Sequence, residues 1–355
     1  MSVLAESIPV RAPQAAAAAR VRVARTGGAE VRVEEGVLEL PGDFPLHHGG
    51  RLAQVRIAWR LAGAADAPVV CALGGISAHR RVCLTEDARD SWWCETAGPQ
   101  RALDTERFRI LSFDYLGGSG GSSGPVAGTP FPAVSSYDQA EVLHALLGHL
   151  GIRALAAIAG ASYGGMVALA FGERYPERVG HLLVIGAADR PHPLATAWRS
   201  VQRQAVRLAL DCGRPQEGLK LARALGMATY RSAEEFAARF AGAPAREGRR
   251  FVFPVEEYLF ARGADYAARY PAESFLALSE SIDLHRIEAA RIFVATTVIA
   301  VREDQLVPLA DARALAARLP RGRLHEISSI YGHDAFLKEP QQLRSIFASA
   351  LGSAP

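Results

Sequence analysis

The sequence has few cysteines and no long apolar run. Its 355 residues include only Cys71, Cys83, Cys94 and Cys212, and their spacing matches neither a metal site nor a disulfide framework. We therefore expect reduced thiols, no bound metal and a cytoplasmic location. Because no run of about 18 apolar residues is present, the sequence predicts no membrane-spanning helix and no membrane partner.

An excess of charge of one sign is also lacking. The 40 lysines and arginines are mixed with 37 aspartates and glutamates, which leaves a formal net charge of +3. A nucleic-acid partner usually requires a dense basic patch, so none is expected. The glycine-rich stretch 117–124 is not followed by Gly-Lys-Ser or Gly-Lys-Thr, which argues against a Walker-type phosphate site.

What the sequence does contain is a Gly-x-Ser-x-Gly motif in a specific setting. A short apolar run from residue 155 leads into Gly160-Ala161-Ser162-Tyr163-Gly164, and a helix-favouring run follows at once. A strand, a sharp turn and a helix in this order are typical of the nucleophile elbow of the α/β-hydrolase fold. We therefore predict that Ser162 is the nucleophile and that the two glycines make room for the turn.

Two later loops carry the partners that this serine needs. In this fold the acid follows the nucleophile along the chain and the histidine follows the acid. Asp304 comes after the β-branched run 292–301, and His333 comes after the short predicted strand 324–327. Glu303 is the alternative acid, although strand alternation directs its side chain elsewhere. Of the other histidines, His325 falls within a predicted strand and His285 in the helical region.

An oxyanion hole requires two backbone donors. One is predicted to be the N–H of Tyr163, which directly follows the nucleophile. The other is expected from the loop that follows the apolar run 69–73, at Leu73 and Gly74, where the glycine lets the backbone approach a substrate closely.

The order of predicted elements indicates an α/β fold with a mostly parallel central sheet flanked by helices. Residues 1–28 are of low complexity and are predicted to be flexible, and residues 29–190 form the first part of the core. Strand signals disappear over 191–286, where amphipathic stretches rich in Ala, Arg, Leu and Glu predict an inserted helical cap. Residues 287–355 return to the core pattern.

Beyond the elbow, the chain resembles the homoserine O-acyltransferase family. The resemblance is carried by Trp92-Trp93 with Ala97-Gly98-Pro99 and Leu103-Asp104-Thr105, by the glycine-rich stretch 116–125, by Arg203-Gln204-Ala205, and by residues 227–232, 255–259 and 331–337. Trp92 and Trp93 themselves are interpreted as packing residues.

This resemblance implies a ping-pong reaction in which Ser162 takes an acyl group from acyl-CoA and passes it to L-homoserine, in methionine biosynthesis. It implies no bound cofactor, acyl-CoA as co-substrate, and a homodimer formed through the cap. It also assigns Arg203 and Asp334 to the acceptor, since a zwitterion needs a cation for its carboxylate and an anion for its ammonium group. Arg231 is either a supporting partner or a surface cation.

The acyl donor and the acceptor are less constrained by the sequence. His79-Arg80-Arg81 follows the predicted oxyanion loop and is interpreted as a solvated turn, or as a site for the free carboxylate of a succinyl donor or the phosphates of coenzyme A. This charge favours succinyl-CoA slightly over acetyl-CoA. A serine O-acyltransferase, an esterase that uses water as acceptor, and a ligand-binding protein without activity are the alternatives. An intact triad argues against the last of these.

Overall fold

A nine-stranded sheet forms the centre of the molecule. The structure, a computed structural model, describes residues 20–26 and 29–352. The spatial order of the strands is β1-β2-β3-β7-β4-β8-β9-β12-β13. The first three strands and the β3–β7 pair are antiparallel, and all pairs from β7 to β13 are parallel. The predicted mostly parallel sheet is confirmed.

The strands of this sheet are β1 (Arg20–Thr26), β2 (Ala29–Pro45), β3 (Arg51–Ala64), β4 (Val69–Leu73), β7 (Arg109–Phe113), β8 (Ala157–Ala161), β9 (His181–Ile185), β12 (Ala295–Val301) and β13 (Gly322–Ile327). Two small pairs complete the set, β5 (Ala97–Gly98) with β6 (Leu103–Asp104) and β10 (Ala245–Glu247) with β11 (Arg250–Val252).

The helices are α1 (Ser136–His149), α2 (Tyr163–Arg174), α3 (Pro193–Asp211), α4 (Pro215–Tyr230), α5 (Ala233–Phe240), α6 (Pro254–Ala267), α7 (Ala272–Asp283), α8 (Leu309–Arg318), α9 (Ala335–Lys338) and α10 (Pro340–Leu351). In the described part of the chain, none of them is long and apolar enough to cross a membrane.

Helices cover both faces of the parallel strands, so the central strands β4 and β8 are buried throughout, whereas the edge strand β13 is only partly buried. In β4, Cys71 and Leu73 contribute to one apolar cluster, and Val70 and Ala72 contribute to the cluster on the opposite face. This alternation follows from the two-residue period of a strand. Burial on both faces explains why the strand segments are nearly continuous apolar runs.

Helices α3 to α7, which we call the cap helices, lie between β9 and β12 in the chain. They share a small apolar cluster of their own, which includes Val206, Leu219 and Phe275. The predicted absence of strands over 191–286 is wrong in one place, because β10 and β11 form an exposed antiparallel hairpin. These three-residue strands are too short to leave a clear alternating pattern in the sequence.

The predicted flexible segment 1–28 differs from the structure over residues 20–26. These residues form β1, which pairs with β2 from Arg20 opposite Glu35 to Thr26 opposite Ala29. Residues 1–19 and 27–28 lie outside the described residues.

His285 lies just after α7 rather than within a helix, and it joins the end of the cap helices to the core. Its Nδ1 is 2.7 Å from the Ser136 hydroxyl, and its Nε2 is 3.1 Å from the Ala188 carbonyl oxygen. Burial lowers the pKa of His285 to about 3, so the ring is neutral at physiological pH. These two hydrogen bonds fix the position at which the chain leaves the cap helices and returns to the sheet.

Candidate functional site

Ser162 occupies a sharp turn between β8 and α2. Its backbone angles are φ 55° and ψ −120°, a region that non-glycine residues rarely adopt. A Cβ atom on Gly160 would lie 2.2 Å from the carbonyl oxygen of Gly164, and one on Gly164 would lie 2.3 Å from that of Leu73. Both glycines of the motif are therefore required by close backbone contacts.

The three predicted residues form one hydrogen-bonded line. His333 Nε2 lies 2.8 Å from Ser162 Oγ, and His333 Nδ1 lies 2.7 Å from Asp304 Oδ2. The other carboxylate oxygen of Asp304 accepts hydrogen bonds from the backbone N–H groups of Leu306 and Val307, at 2.8 and 3.0 Å. These two bonds orient the carboxylate towards the imidazole.

Electrostatics favour a basic imidazole at this position. Burial lowers the pKa of His333, but the Asp304 carboxylate and its hydrogen bond more than offset this effect. The pKa of His333 therefore lies above its ordinary value of 6.5. The arrangement can take a proton from Ser162 and stabilise the imidazolium that results.

The alternative acid, Glu303, does not contact His333. Its carboxylate accepts hydrogen bonds from the Ser328 hydroxyl and, at 2.8 Å, from the Ser329 backbone N–H. Glu303 therefore holds the loop that carries His333, while Asp304 contacts the ring itself.

The loop after β4 approaches Ser162 from the side. The Gly74 carbonyl oxygen accepts the backbone N–H of Gly164 at 2.9 Å, and a Cβ atom on Gly75 would lie 4.0 Å from the Cβ of Ser162. Tyr163 is the first residue of α2, a position whose N–H has no partner within the helix. The predicted donors Leu73 and Gly74 thus lie at the loop that packs against the serine turn, and Tyr163 directly follows the serine in the chain.

A cavity of about 210 Å³ opens above Ser162. Its walls come from the core and from the cap helices. The apolar part includes Trp92, Trp198, Phe275 and Phe336, and the polar part includes Ser162, His333, Asp334, Arg199, Gln202 and Arg223. The interpretation of Trp92 as a packing residue is incomplete, because its ring stacks on Trp93 at 5.0 Å and also lines this cavity.

The structure pairs Arg203 with a carboxylate of the cap helices. Its guanidinium donates to Asp283 Oδ2 at 2.6 Å and to the Ser279 carbonyl oxygen at 3.0 Å, and it is not among the described residues that line the cavity. The assignment of Arg203 to the acceptor therefore stays a prediction, which its pairing with Asp283 does not favour. Arg199, one turn earlier on α3, binds the other oxygen of the same carboxylate and does line the cavity.

Arg223 is the cation that the sequence reasoning missed. It lines the cavity from α4, and its guanidinium lies over the rings of Tyr230 and Tyr266 at 5.3 and 4.9 Å. Within residues 20–26 and 29–352, no carboxylate lies within 4.0 Å of it. The available signal was its spacing, since Arg223 and Tyr230 are seven residues apart and so share the inner face of α4.

Asp334 lines the cavity beside His333, as predicted. Its Oδ2 is 3.1 Å from Arg231 Nε, and Arg231 also contacts Glu235 at 3.2 Å. Arg231 is therefore a partner of Asp334 rather than a surface cation, since its side chain is only 8% exposed.

Arg80 and Arg81, the cations associated with a succinyl donor, do not line the cavity in the described structure. Arg80 forms an ion pair with Asp114, and its backbone N–H donates to the same carboxylate at 2.8 Å. Arg81 is exposed. The fully buried Asp114 carboxylate, directly after β7, holds Arg80 outside the cavity, so these two arginines do not support the succinyl donor.

Comparisons with known proteins identify a matching family and several relatives. A family model described as the alpha/beta hydrolase fold matches residues 68–340. A homoserine O-succinyltransferase of Xanthomonas campestris pv. campestris is 43% identical over 88% of this chain and 83% of its own length. A serine O-succinyltransferase of Litchfieldella anticariensis is 34% identical over 88% of this chain and 97% of its own. The crystal structure of a homoserine O-acetyltransferase from Bacillus anthracis has the same fold, with a TM-score of 0.81, 18% identity, and coverage of 91% of this chain and 98% of that one.

The Asp304 carboxylate should control both the rate and the pH dependence of Ser162 acylation. His333 accepts a proton only when neutral, so its raised pKa places the acidic limb of the pH–rate profile above pH 6.5. Asp304→Asn removes the group that raises this pKa. We expect the limb to move to lower pH and the rate constant to fall by about 10⁴-fold, measured by rapid-quench acylation with an activated ester.

Glu303→Gln is the matched control, because it changes the neighbouring carboxylate without touching His333. It should leave the position of the acidic limb unchanged and lower the rate constant far less. If instead Glu303→Gln moved the limb to lower pH and Asp304→Asn did not, the acid would be Glu303 rather than Asp304.

Proposed function

Because the chain belongs to the homoserine O-acyltransferase family of the α/β-hydrolase fold and is thus an acyltransferase, we propose that it transfers an acyl group from acyl-CoA to the hydroxyl of L-homoserine in methionine biosynthesis. The observation that carries this proposal is the hydrogen-bonded line from Asp304 through His333 to Ser162, which opens into a cavity with the cation Arg223 and the anion Asp334.

The first half-reaction acylates the serine. His333 Nε2 takes the Ser162 proton as Oγ attacks the thioester carbonyl, and the imidazolium then gives that proton to the departing thiolate of coenzyme A. The oxyanion accepts hydrogen bonds from the Tyr163 N–H and from the oxyanion loop, defined as residues 73–77, in which Leu73 and Gly74 are the predicted donors.

The second half-reaction reverses these roles with a new nucleophile. The acceptor hydroxyl gives its proton to His333 and attacks the acyl-serine carbonyl. Ser162 Oγ leaves and recovers a proton from the imidazolium. The product is the O-acyl amino acid, and the free enzyme is regenerated.

Charge complementarity supports an amino acid as acceptor. Arg223 forms no ion pair with a described residue, although the charge of Asp334 acts on it, and it can therefore bind the substrate carboxylate. Asp334 pairs through Oδ2 with Arg231, and its carboxylate lies one residue from the catalytic base, where it can also bind an ammonium group. The rings of Tyr230 and Tyr266 hold the guanidinium in place.

L-Serine is the alternative acceptor, and one relative that is 34% identical is named a serine O-succinyltransferase. Serine is one methylene shorter than homoserine and carries the same two charges. Arg223 and Asp334 therefore fit either amino acid, and the choice depends on how far the hydroxyl reaches towards His333.

Two arginines of α3, Arg199 and Arg203, support succinyl-CoA as the donor. Arg199 donates to Asp283 Oδ1 at 2.6 and 2.9 Å, and Arg203 donates to Asp283 Oδ2. Two guanidinium groups on one carboxylate leave a positive charge, and Arg199 presents it to the cavity. A succinyl group carries a terminal carboxylate that can pair with this charge, and an acetyl group does not.

A homodimer through the cap is supported by exposed apolar side chains. Leu194, Val201 and Leu208 are 49%, 60% and 62% exposed and are spaced by seven residues on α3, so they share one face. Phe251, in the hairpin between α5 and α6, is 60% exposed. A contiguous apolar surface of this kind is typical of a contact between subunits. All four cysteines are free thiols, which supports the proposed cytoplasmic location.

The proposed function is tested by following free thiol from succinyl-CoA or acetyl-CoA, with and without homoserine or serine. A ping-pong transferase releases about one equivalent of thiol without acceptor, and sustained release requires the amino acid. Mass spectrometry should locate the acyl group on Ser162. Sustained release without acceptor would instead indicate an esterase, and absence of any release would indicate a binding protein.

The donor arm of this experiment uses Arg199→Gln. Loss of the charge should lower kcat/KM for succinyl-CoA by about tenfold or more while that for acetyl-CoA changes little. Arg81→Gln, an exposed arginine outside the cavity, is the matched control and should affect neither donor. Equal losses for both donors in Arg199→Gln would remove this residue from donor selection.

Arg223→Gln should weaken the acceptor half-reaction alone. Without the guanidinium the acceptor carboxylate loses a charge-assisted hydrogen bond, so its KM should rise by about tenfold or more. Acylation of Ser162 by the donor should continue at its normal rate. Arg207→Gln, exposed on α3, is the control, and a slower first half-reaction in Arg223→Gln would assign Arg223 to the donor or to the fold.

Sedimentation at micromolar protein should give a mass twice that of one chain. Val201→Asp places a charge on the apolar face of α3 and should yield the monomer. Phe293→Ser is the control, because this side chain is 64% exposed outside the cap. A monomeric wild type would contradict the proposed dimer.

A further inference from the structure

Two buried tyrosines hold the oxyanion loop by its carbonyl oxygens. The Tyr115 hydroxyl donates to the Gly74 carbonyl oxygen at 2.7 Å, and the Tyr270 hydroxyl donates to that of Ile76 at 2.8 Å. Tyr115 follows β7 of the sheet, whereas Tyr270 lies between α6 and α7 of the cap. The loop is thus held from the core and from the cap at once.

The direction of a carbonyl group fixes the direction of the next N–H. In a planar trans peptide the two groups point to opposite sides, so Tyr115, by holding the Gly74 oxygen, also aims the N–H of Gly75, and Tyr270, by holding the Ile76 oxygen, also aims that of Ser77. Gly74 and Gly75 follow Leu73 in the loop and have wide conformational freedom. Such a loop needs external contacts if its N–H groups are to stay directed at an oxyanion.

The glycine-rich stretch 117–124 joins the same network. Gly118 donates its backbone N–H to the Tyr115 carbonyl oxygen at 3.0 Å, and its own carbonyl oxygen accepts the Ser274 hydroxyl of α7 at 3.0 Å. These glycines therefore let the chain pass beneath α7 and hold the segment that begins at Tyr115.

Both hydroxyls keep their protons under the conditions of the reaction. Burial raises the pKa of Tyr115 and of Tyr270 well above the ordinary value of 10.0. Each side chain is therefore a neutral, permanent donor. Neither residue belongs to the described lining of the cavity, so neither contacts a substrate there.

We propose that Tyr115 and Tyr270 are positioning residues of the oxyanion hole, Tyr115 acting from the sheet on the N–H of Gly75 and Tyr270 acting from the cap on that of Ser77. Gly75 and Ser77 both line the cavity and lie in the oxyanion loop, next to the donors Leu73 and Gly74 that the sequence predicts. Tyr270 makes stabilisation of the oxyanion depend on a docked cap. This inference rests on the proposed function only in that Ser162 is acylated through a tetrahedral oxyanion, and it is independent of the amino acid that accepts the acyl group.

The test uses Tyr115→Phe, Tyr270→Phe and the double variant. The substrate is p-nitrophenyl acetate, which acylates a reactive serine without coenzyme A or an acceptor. We expect each single variant to acylate Ser162 about tenfold more slowly. An alkylboronic acid, which forms a tetrahedral anion on the serine, should bind correspondingly more weakly, while the KM of the amino-acid acceptor should stay unchanged.

Tyr137→Phe is the matched control. It also removes one hydrogen-bonded tyrosine hydroxyl, the donor to Glu173 on the far side of α1 and α2, and should change neither acylation nor boronate binding. Melting temperatures of all variants are measured together with the rates. A merely structural role would lower the melting temperature without selectively weakening the boronate.

Acylation and boronate binding equal to those of the wild type in the double variant would overturn the inference, as would a loss that the control shares. A wild-type protein in which Ser162 is not acylated at all would instead overturn the proposed function, and this inference with it. The two failures are distinguished by the wild-type reaction alone.

Discussion

The backbone turn at Ser162 is the constraint on which the rest of the site depends. Its positive φ is strained for a serine and persists only where surrounding contacts enforce it. The Ser162 N–H donates to the Ile185 carbonyl oxygen of β9 at 2.8 Å, and the Gly164 N–H donates to Gly74 beyond β4. The two strands that flank β8 thus hold the turn from both sides. The same hydrogen bonds therefore place the nucleophile and one end of the oxyanion loop.

A second constraint is the balance of charge around the cavity. Asp304 is balanced by hydrogen bonds and by His333, Asp334 by Arg231, and Asp283 by two arginines. Burying an unpaired ion costs free energy, so each of these buried charges needs a partner. In the described part of the chain, Arg223 departs from this pattern, since it faces the cavity with aromatic rings instead of a carboxylate. A ligand anion would complete the balance.

The triad could be predicted from the sequence because parallel strands impose a simple rule. Their carboxyl ends meet at one edge of the sheet, so the loops after β8, β12 and β13 converge whatever their distance in sequence. Ser162, Asp304 and His333 each occupy one of these loops. Their identity needed only the strand assignments and the order of residue types.

No comparable rule orients the cap helices. Arg203 and Arg223 both lie on inward-facing parts of amphipathic helices, and their roles differ because Asp283 on α7 draws one of them away from the cavity. Arg80 is held away from the cavity in the same way, by Asp114, which is 34 residues distant from it in sequence. In contrast, β1 could have been found, because Arg20-Val21-Arg22-Val23 alternates with the two-residue period of a strand.

The cap also bears on the difference between transfer and hydrolysis. A serine, a histidine and a carboxylate in this fold suffice to hydrolyse an ester, so a transferase must favour its acceptor over water. In the proposed reaction Arg223 and Asp334 hold the acceptor by both of its charges, and Asp334 adjoins the histidine that activates the hydroxyl. The acceptor then competes with water as a bound, oriented group rather than as a dilute solute.

Because the cap also provides Tyr270 to the oxyanion loop, a displaced cap would impair acceptor binding and oxyanion stabilisation together. Hydrolysis of the acyl-enzyme in the absence of acceptor would then be limited by the same cap movement that admits the substrates.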